Sequence, residues 1–308
     1  MANLFLQNKC VGDVLEGKNT EKLLVLGADT TVAAALETFK ENGIVAAPVR
    51  DRESGDIVAI IGVEDILLYV AFASNLKAGE LPSASQLAES TSFDVAVQAL
   101  VGATAESTRV WSVAREDNLR GLLEMFSKGV HRVLVGENIL AQVDVGRFIL
   151  KGRENIGDPI LGASLANNGL ANPAHTMDSL VRVSPATTAL EAFRIMGQKG
   201  LNALPVCEEN GSLVTQLSAS DLRGLDRASV AQLLEPVGKF LEGRYGAVVK
   251  PITVFPHDPT EKALTAMVGA SVHRVWVIDA QNRATGVVSL TDVLCKFSPF
   301  DFQEQADK

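Results

Sequence analysis

The residues Val130-His131-Arg132-Val133 recur as Val272-His273-Arg274-Val275, a little under half of the 308-residue chain further on. Two of the four histidines sit in this tetrapeptide. A duplication at that spacing constrains the fold strongly, because whatever surrounds one copy has to be built again around the other. Extending outward from it, one order of elements is found four times: amphipathic helix, short strand, turn, second strand, second helix.

In copy one the spacing of Val32, Leu36 and Phe39 predicts a helix over 30–42, followed by strands over 45–49 and 57–61 around a polar turn, and a helix over 63–72. Copy two is predicted as a helix capped by Asp117, strands over 132–135 and 139–143 around Gly136-Glu137-Asn138, and a helix over 145–150. Copy three reads as helix 187–199, strands 203–207 and 212–217 and a short helix from Ala219. Copy four reads as helix 259–269, strands 274–278 and 285–288 and helix 290–297. The stretch 74–92 reads as a connector. Gly- and Pro-rich 151–175 reads as the boundary between halves, and 303–308 as a fraying tail. A β-α-β-β-α unit of this size buries too little alone, so four copies imply pairs, in an α/β (α+β) fold.

Composition bounds the function. A formal charge of −9 argues against a broad nucleic-acid-binding face while leaving room for one small basic pocket. The cysteines, Cys10, Cys207 and Cys295, fit neither a disulfide framework nor a zinc site. No apolar run is long enough for a bilayer and no signal peptide is expected, so the expected setting is cytoplasmic or also nuclear, without membrane association. His175 and His257 have no nucleophile or acid arranged around them, and the repeats leave no room for a catalytic domain. A non-enzyme, with no catalytic cofactor and no metal site, is expected.

The ends of the second strands carry the chemistry. They read Gly286-Val287-Val288-Ser289-Leu290-Thr291-Asp292, Thr215-Gln216-Leu217-Ser218-Ala219-Ser220-Asp221, Ala59-Ile60-Ile61-Gly62-Val63-Glu64-Asp65 and Ala141-Gln142-Val143-Asp144-Val145-Gly146-Arg147. A carboxylate can accept both hydroxyls of a ribose, which makes Asp292, Asp221 and Asp65 ribose candidates. Each is equally a good first-turn residue of a helix, satisfying orphan N–H groups. Arg147, in the fourth place, has no acceptor and could instead reach a phosphate. His131, Arg132, His273 and Arg274 are the other phosphate candidates, Arg through its planar fork and His as a neutral donor or a cation. The alternative is a surface pair. No glycine-rich phosphate loop is present. Adenine would need an apolar slot near Ala203, Val206 or Ala46, residues that are equally good core.

With Ala46-Ala47-Pro48-Val49 and Ala203-Leu204-Pro205-Val206, these strand ends resemble the cystathionine β-synthase (CBS) domain. Two such domains make a Bateman module. The resemblance implies a first module over 1–158 (repeats near 10–75 and 93–152) and a second over 174–302 (repeats near 175–225 and 228–298), together a pseudo-twofold disc. The row Asp65, Arg147, Asp221, Asp292, with His-Arg in copies two and four, is similar to the gamma subunits of AMP-activated and related energy-sensing kinases. That similarity implies AMP, ADP or ATP as regulatory ligand. It implies hydroxyl contacts from Ser289, Thr291, Ser218, Ser220 and Ser184, and partners among kinase catalytic and scaffold subunits, or self-association. The alternative is an interaction scaffold with degenerate sites or one for another adenosyl ligand such as S-adenosylmethionine. Departures from the kinase pattern are Gly62 and Glu64 in place of hydroxyl residues, and Val45 and Gly146 in place of cations.

Overall fold

The computed structural model describes residues 4–18, 23–73, 81–156, 159–172, 178 and 180–298. His175 and the tail 303–308 lie outside them. All four copies form the expected β-α-β-β-α unit. The leading helices are Val32–Glu41, Leu119–Ser127, Ala189–Lys199 and Thr260–Gly269. The hairpins are Ala46–Arg50 with Ile57–Gly62, Arg132–Val135 with Asn138–Ala141, Ala203–Cys207 with Leu213–Ser218, and Arg274–Ile278 with Ala284–Ser289, all antiparallel. Each first strand also takes a short parallel neighbour, such as Leu26 on Val49 and Thr253 on Trp276. The trailing elements are Val63–Phe72, Gln142–Lys151, the short 3-10 turn Ala219–Leu222 and Leu290–Cys295.

Two expectations are corrected. Copy two's leading helix is capped by Asn118, whose side chain accepts from Arg120 N at 2.8 Å, while Asp117 holds the preceding turn through Ala114 N. Copy two's trailing helix starts at Gln142, three residues earlier than periodicity suggests. Its hairpin closes through only Gly136 and Glu137, with Gly136 at a positive φ, so the strands end sooner than in the other copies. The connector contains a helix, Ala84–Ser90, set by a reciprocal Ser83–Gln86 capping box.

The chain divides into two compact units. Unit one comprises 1–23, 111–180 and 252–308; unit two comprises 24–110 and 181–251. Copies two and four therefore share one core, which runs from Leu6 and Val11 through Phe126 and Val145 to Met267 and Phe297. Copies one and three share the other, built on Phe39, Ile66, Phe193 and Phe240. The units do not coincide with contiguous halves. Each leading helix is latched at its start by a strand-like segment: Cys10 on Asn118, Thr31 on Ala96, Ser164 on Pro259 and Thr188 on Pro236. The segment preceding copy one thus latches copy two, and the segment following copy one latches copy one.

Candidate functional site

Two hydrogen bonds superimpose the four copies without reference to side-chain identity. The carbonyl just before or at the start of the first strand accepts from the residue after the helix N-cap: Val45 from Val63, His131 from Gln142, Asn202 from Ala219 and His273 from Leu290, all at 2.9–3.2 Å. The N-cap N–H then donates to an aspartate three residues on: Gly62 to Asp65, Ala141 to Asp144, Ser218 to Asp221 and Ser289 to Asp292, at 2.9, 2.9, 2.7 and 2.8 Å. The fourth member of the acidic row is therefore Asp144. Arg147 stands one helical turn beyond it, with Nη1 3.2 Å from Asp144 Oδ1. Sequence reasoning missed Asp144 because the short hairpin displaced the count. Gly146 likewise has a packing reason: a Cβ there would lie 3.1 Å from Leu264 and 3.2 Å from Val268.

The same register equates Val45-Ala46, His131-Arg132, Asn202-Ala203 and His273-Arg274. The adenine candidates Ala46 and Ala203 thus occupy the strand positions that hold Arg132 and Arg274 in the other unit. Both alanines are buried, as is Val206, a member of the unit-two core. The two His-Arg pairs, one from each half of the sequence, fall in the same unit. Arg132 is buried and His131 half-buried, whereas His273 is exposed. Gln142 joins the two hairpin ends: its amide nitrogen donates to Thr291 Oγ1 at 2.9 Å and lies 3.2 Å from Val130 O. One side chain therefore ties the first Val-His-Arg-Val segment to the start of copy four's trailing helix.

What fills each aspartate differs. Asp65 is 2% exposed, and its Oδ1 accepts from Thr104 N, Thr104 Oγ1 and Ser107 Oγ at 3.1, 2.8 and 2.6 Å. Burial raises its pKa, against those hydrogen bonds. Two hydroxyls of the chain itself thus occupy that Oδ1 oxygen. Asp221, also buried, accepts from Tyr245 Oη at 2.6 Å; burial raises its pKa against the pull of Tyr245, Ser218, Arg244 and Arg223. The Tyr245 hydroxyl is pushed up to about 12, first by burial and then by Asp221. Ser218 and Ser220 share a hydroxyl contact at 3.0 Å, and Arg223 Nε donates to Ser220 O. Asp144 is paired with Lys18 Nζ at 2.8 Å as well as with Arg147.

Asp292 is different. It is exposed, its Oδ2 accepts from Ser289 N and from Ser289 Oγ at 2.6 Å, and its Oδ1 takes no hydrogen bond among the described residues. Ser289 is paired in register with Arg274, which gathers His273, Arg274, Ser289 and Asp292 at one hairpin end. Ser184 is an exposed residue of unit two, its hydroxyl 3.3 Å from Thr187 Oγ1. Tyr245, Arg244 and Arg223 carried no sequence signal, because they lie outside the repeated strand ends.

Among the described residues no cluster of His, Cys, Asp and Glu could hold a metal, and no helix is long and apolar enough to cross a membrane. Burial pushes the Cys207 thiol up to about 11, as expected of an inert core group.

The CBS domain family model matches residues 11–71, 176–226 and 247–298, which are copies one, three and four. A SNF1-related protein kinase regulatory subunit gamma-like protein of Arabidopsis thaliana is 25% identical, covering 89% of this chain and 90% of its own length. A 5'-AMP-activated protein kinase subunit gamma of Saccharomyces cerevisiae is 24% identical, covering 94% and 90%. A crystal structure described as an archaeal homologue of g-AMPK, from Methanocaldococcus jannaschii, superimposes with a TM-score of 0.71 at 20% identity, covering 92% of this chain and 99% of that one. That structure shares the fold, and copy two repeats in its hydrogen-bond register what the other three copies match in sequence. With more than half of its length matched, the chain belongs to the CBS-domain family.

Proposed function

We propose that the protein is a non-catalytic regulator that binds an adenine nucleotide at copy four and passes its occupancy to a protein partner. The observation that carries this reading is Asp292, whose Oδ1 alone in the acidic row takes no donor from the described protein. A vicinal diol can donate to that carboxylate without displacing anything, and charge assistance makes such bonds strong. His273 and Arg274, with His131 and Arg132 of the same unit, form the phosphate end. Arg147 would add a further cation. Ser289 and Thr291 are the hydroxyl contacts at copy four. Within unit two, Ser218, Ser220 and Asp221 are their counterparts in copy three, with Ser184 as a further hydroxyl and Ala203, Val206 and Ala46 as an apolar wall for adenine there.

AMP, ADP or ATP is the ligand, and a kinase catalytic or scaffold subunit, in the cytoplasm, is the partner. The kinship with gamma subunits supports both. Nucleotide would favour one packing of two modules, 1–158 and 174–302, and the partner would read it. The exchanged latches, each coming from the neighbouring repeat's flank, support that pairing.

A thermal-shift panel of AMP, ADP, ATP and S-adenosylmethionine tests the reading. A ligand at about 100 times its Kd adds about 2.7 kcal/mol. Silence across the panel would sink it in favour of a scaffold. The protein-filled carboxylates of Asp65, Asp144 and Asp221 favour that second reading for copies one to three. Capture of kinase subunits by the tagged full chain tests the partner.

A further inference from the structure

A cleft lies in unit one, beside Asp144. It is shallow and open to solvent, with about 10 Å³ of enclosed space, and is lined by Val14, Gly17, Lys18, Asp144, Arg147, Phe148 and Lys151. Three cations therefore face one carboxylate. Asp144 is only 6% exposed and is neutralised by Lys18 and Arg147 together. Lys18 spends two of its three donors, on Asp144 and on Ile139 O at 2.7 Å. Arg147 directs one N–H at Asp144 and is 38% exposed at its side chain, so most of its fork remains available. Lys151 has no hydrogen-bond or ion-pair partner among the described residues. It approaches the backbone where Gly17 leaves room: a Cβ on Gly17 would come within 3.6 Å of Lys151 Nζ.

The cleft carries a formal excess of two positive charges in a chain of net −9. An excess of one sign in a walled concavity concentrates counter-ions there. We propose that this cleft is a binding site for a small phosphate-class anion, inorganic phosphate or pyrophosphate, held by Lys18, Arg147 and Lys151. A nucleoside is not what it reads. Both oxygens of Asp144 are committed to cations, so no acceptor is left for a ribose diol, and Val14 and Phe148 narrow the walls. The site shares Arg147 with the nucleotide reading at Asp292, but Lys18 and Lys151 lie outside that reading. Its occupant would tie Lys18, at the end of the Val11–Glu16 helix, to the trailing helix of copy two.

Calorimetric titration of the full chain with orthophosphate and with pyrophosphate, at near-physiological ionic strength, tests it. Saturable binding of one anion is expected. Lys151→Gln should weaken it roughly tenfold, the worth of one charge-assisted hydrogen bond, and Lys151→Glu should abolish it. Lys151 makes no hydrogen bond or ion pair among the described residues, so Lys151→Gln should melt like the parent and Lys151→Glu, a reversal at a helix C-terminus, only slightly lower, and both should bind AMP like the parent. Absence of saturable binding overturns the proposal, as does binding that Lys151→Glu leaves intact. Equal loss of AMP and phosphate in Lys151→Glu would also overturn it, since the cleft would then be part of the nucleotide site. A chain that binds phosphate in this way but no nucleotide would leave the proposal standing and remove only the reading at Asp292.

Discussion

Units one and two are assembled from the same β-α-β-β-α element, in the same hydrogen-bond register, yet their hairpin ends carry opposite chemistry. Unit one places His131-Arg132 and His273-Arg274 where unit two places Val45-Ala46 and Asn202-Ala203. Unit two buries its aspartates and meets them with its own hydroxyls, whereas unit one meets one with cations and leaves the other exposed. The lesson is that an acidic row repeated along one chain has at least two jobs. An N-cap bond is common to all four members, and only the second oxygen decides whether a member is structural or available for a ligand.

The largest expected effect tests the structural end of that contrast. Asp65→Ala would orphan Gly62 N–H and the Thr104 and Ser107 donors in a buried site, and should cost about 3 kcal/mol in urea unfolding. Its AMP affinity should match the parent. Loss of AMP binding without loss of stability would reverse the assignment of copy one. The complementary change, Asp292→Ala, should lower AMP affinity about tenfold to a hundredfold in equilibrium titration, with a melting temperature close to the parent's.

Tyr245→Phe probes how a buried carboxylate is held. Burial raises Asp221, so its contribution to stability is fullest below the ordinary carboxylate value and is lost as pH rises through the raised folded value. The Tyr245 hydroxyl opposes that shift by stabilising the charged form. Its removal should therefore cost about 1–2 kcal/mol at about pH 8 and clearly less at about pH 4, in unfolding curves run at both. An equal cost at the two values would mean the hydroxyl acts on packing alone. The smallest change sits just before the His-Arg pair of copy four. Gly43, Gly129 and Gly200 each adopt a positive φ two residues ahead of the strand-start carbonyl, and copy four has Ser271 there at φ 52. Ser271→Gly should stabilise by about 0.5–1 kcal/mol, the left-handed strain less the added chain entropy, in thermal unfolding.

Much of this contrast was legible before any coordinates. The 3.6 and 2 periodicities placed nearly every helix and hairpin strand of the four repeats within two residues, since Leu36, Phe39, Leu204 and Val275 are core residues of amphipathic elements, while helices between the repeats, such as Val11–Glu16 and Val237–Tyr245, went unread. The acidic row and both His-Arg pairs were visible as repeated residue types. Asp144 was not, because a two-residue turn shortens copy two and only hydrogen-bond register reveals the shift. The occupants of the carboxylates were invisible for a different reason. Thr104, Ser107, Lys18 and Tyr245 reach their aspartates across 24 to 126 positions of chain, a separation that no local pattern encodes. The grouping of copies was hidden likewise, since it follows from side-chain packing such as Phe72 and Leu68 against Gly197 rather than from order along the chain.

The alternation of the chain between units bears on how the protein is made. The backbone enters unit one, leaves for unit two, and changes unit three more times before position 298. On a ribosome, the core that joins Phe39 to Phe240 can close once residue 251 has emerged, while the one that joins Leu6 to Phe297 waits for residue 297. Leu6, Val11 and Phe126 thus wait, unpaired with that part of their core, until Phe297 has emerged, a long-range closure of the kind that folds slowly and invites aggregation. Unit two is the natural first domain to mature, and unit one, which holds both His-Arg pairs, closes after it.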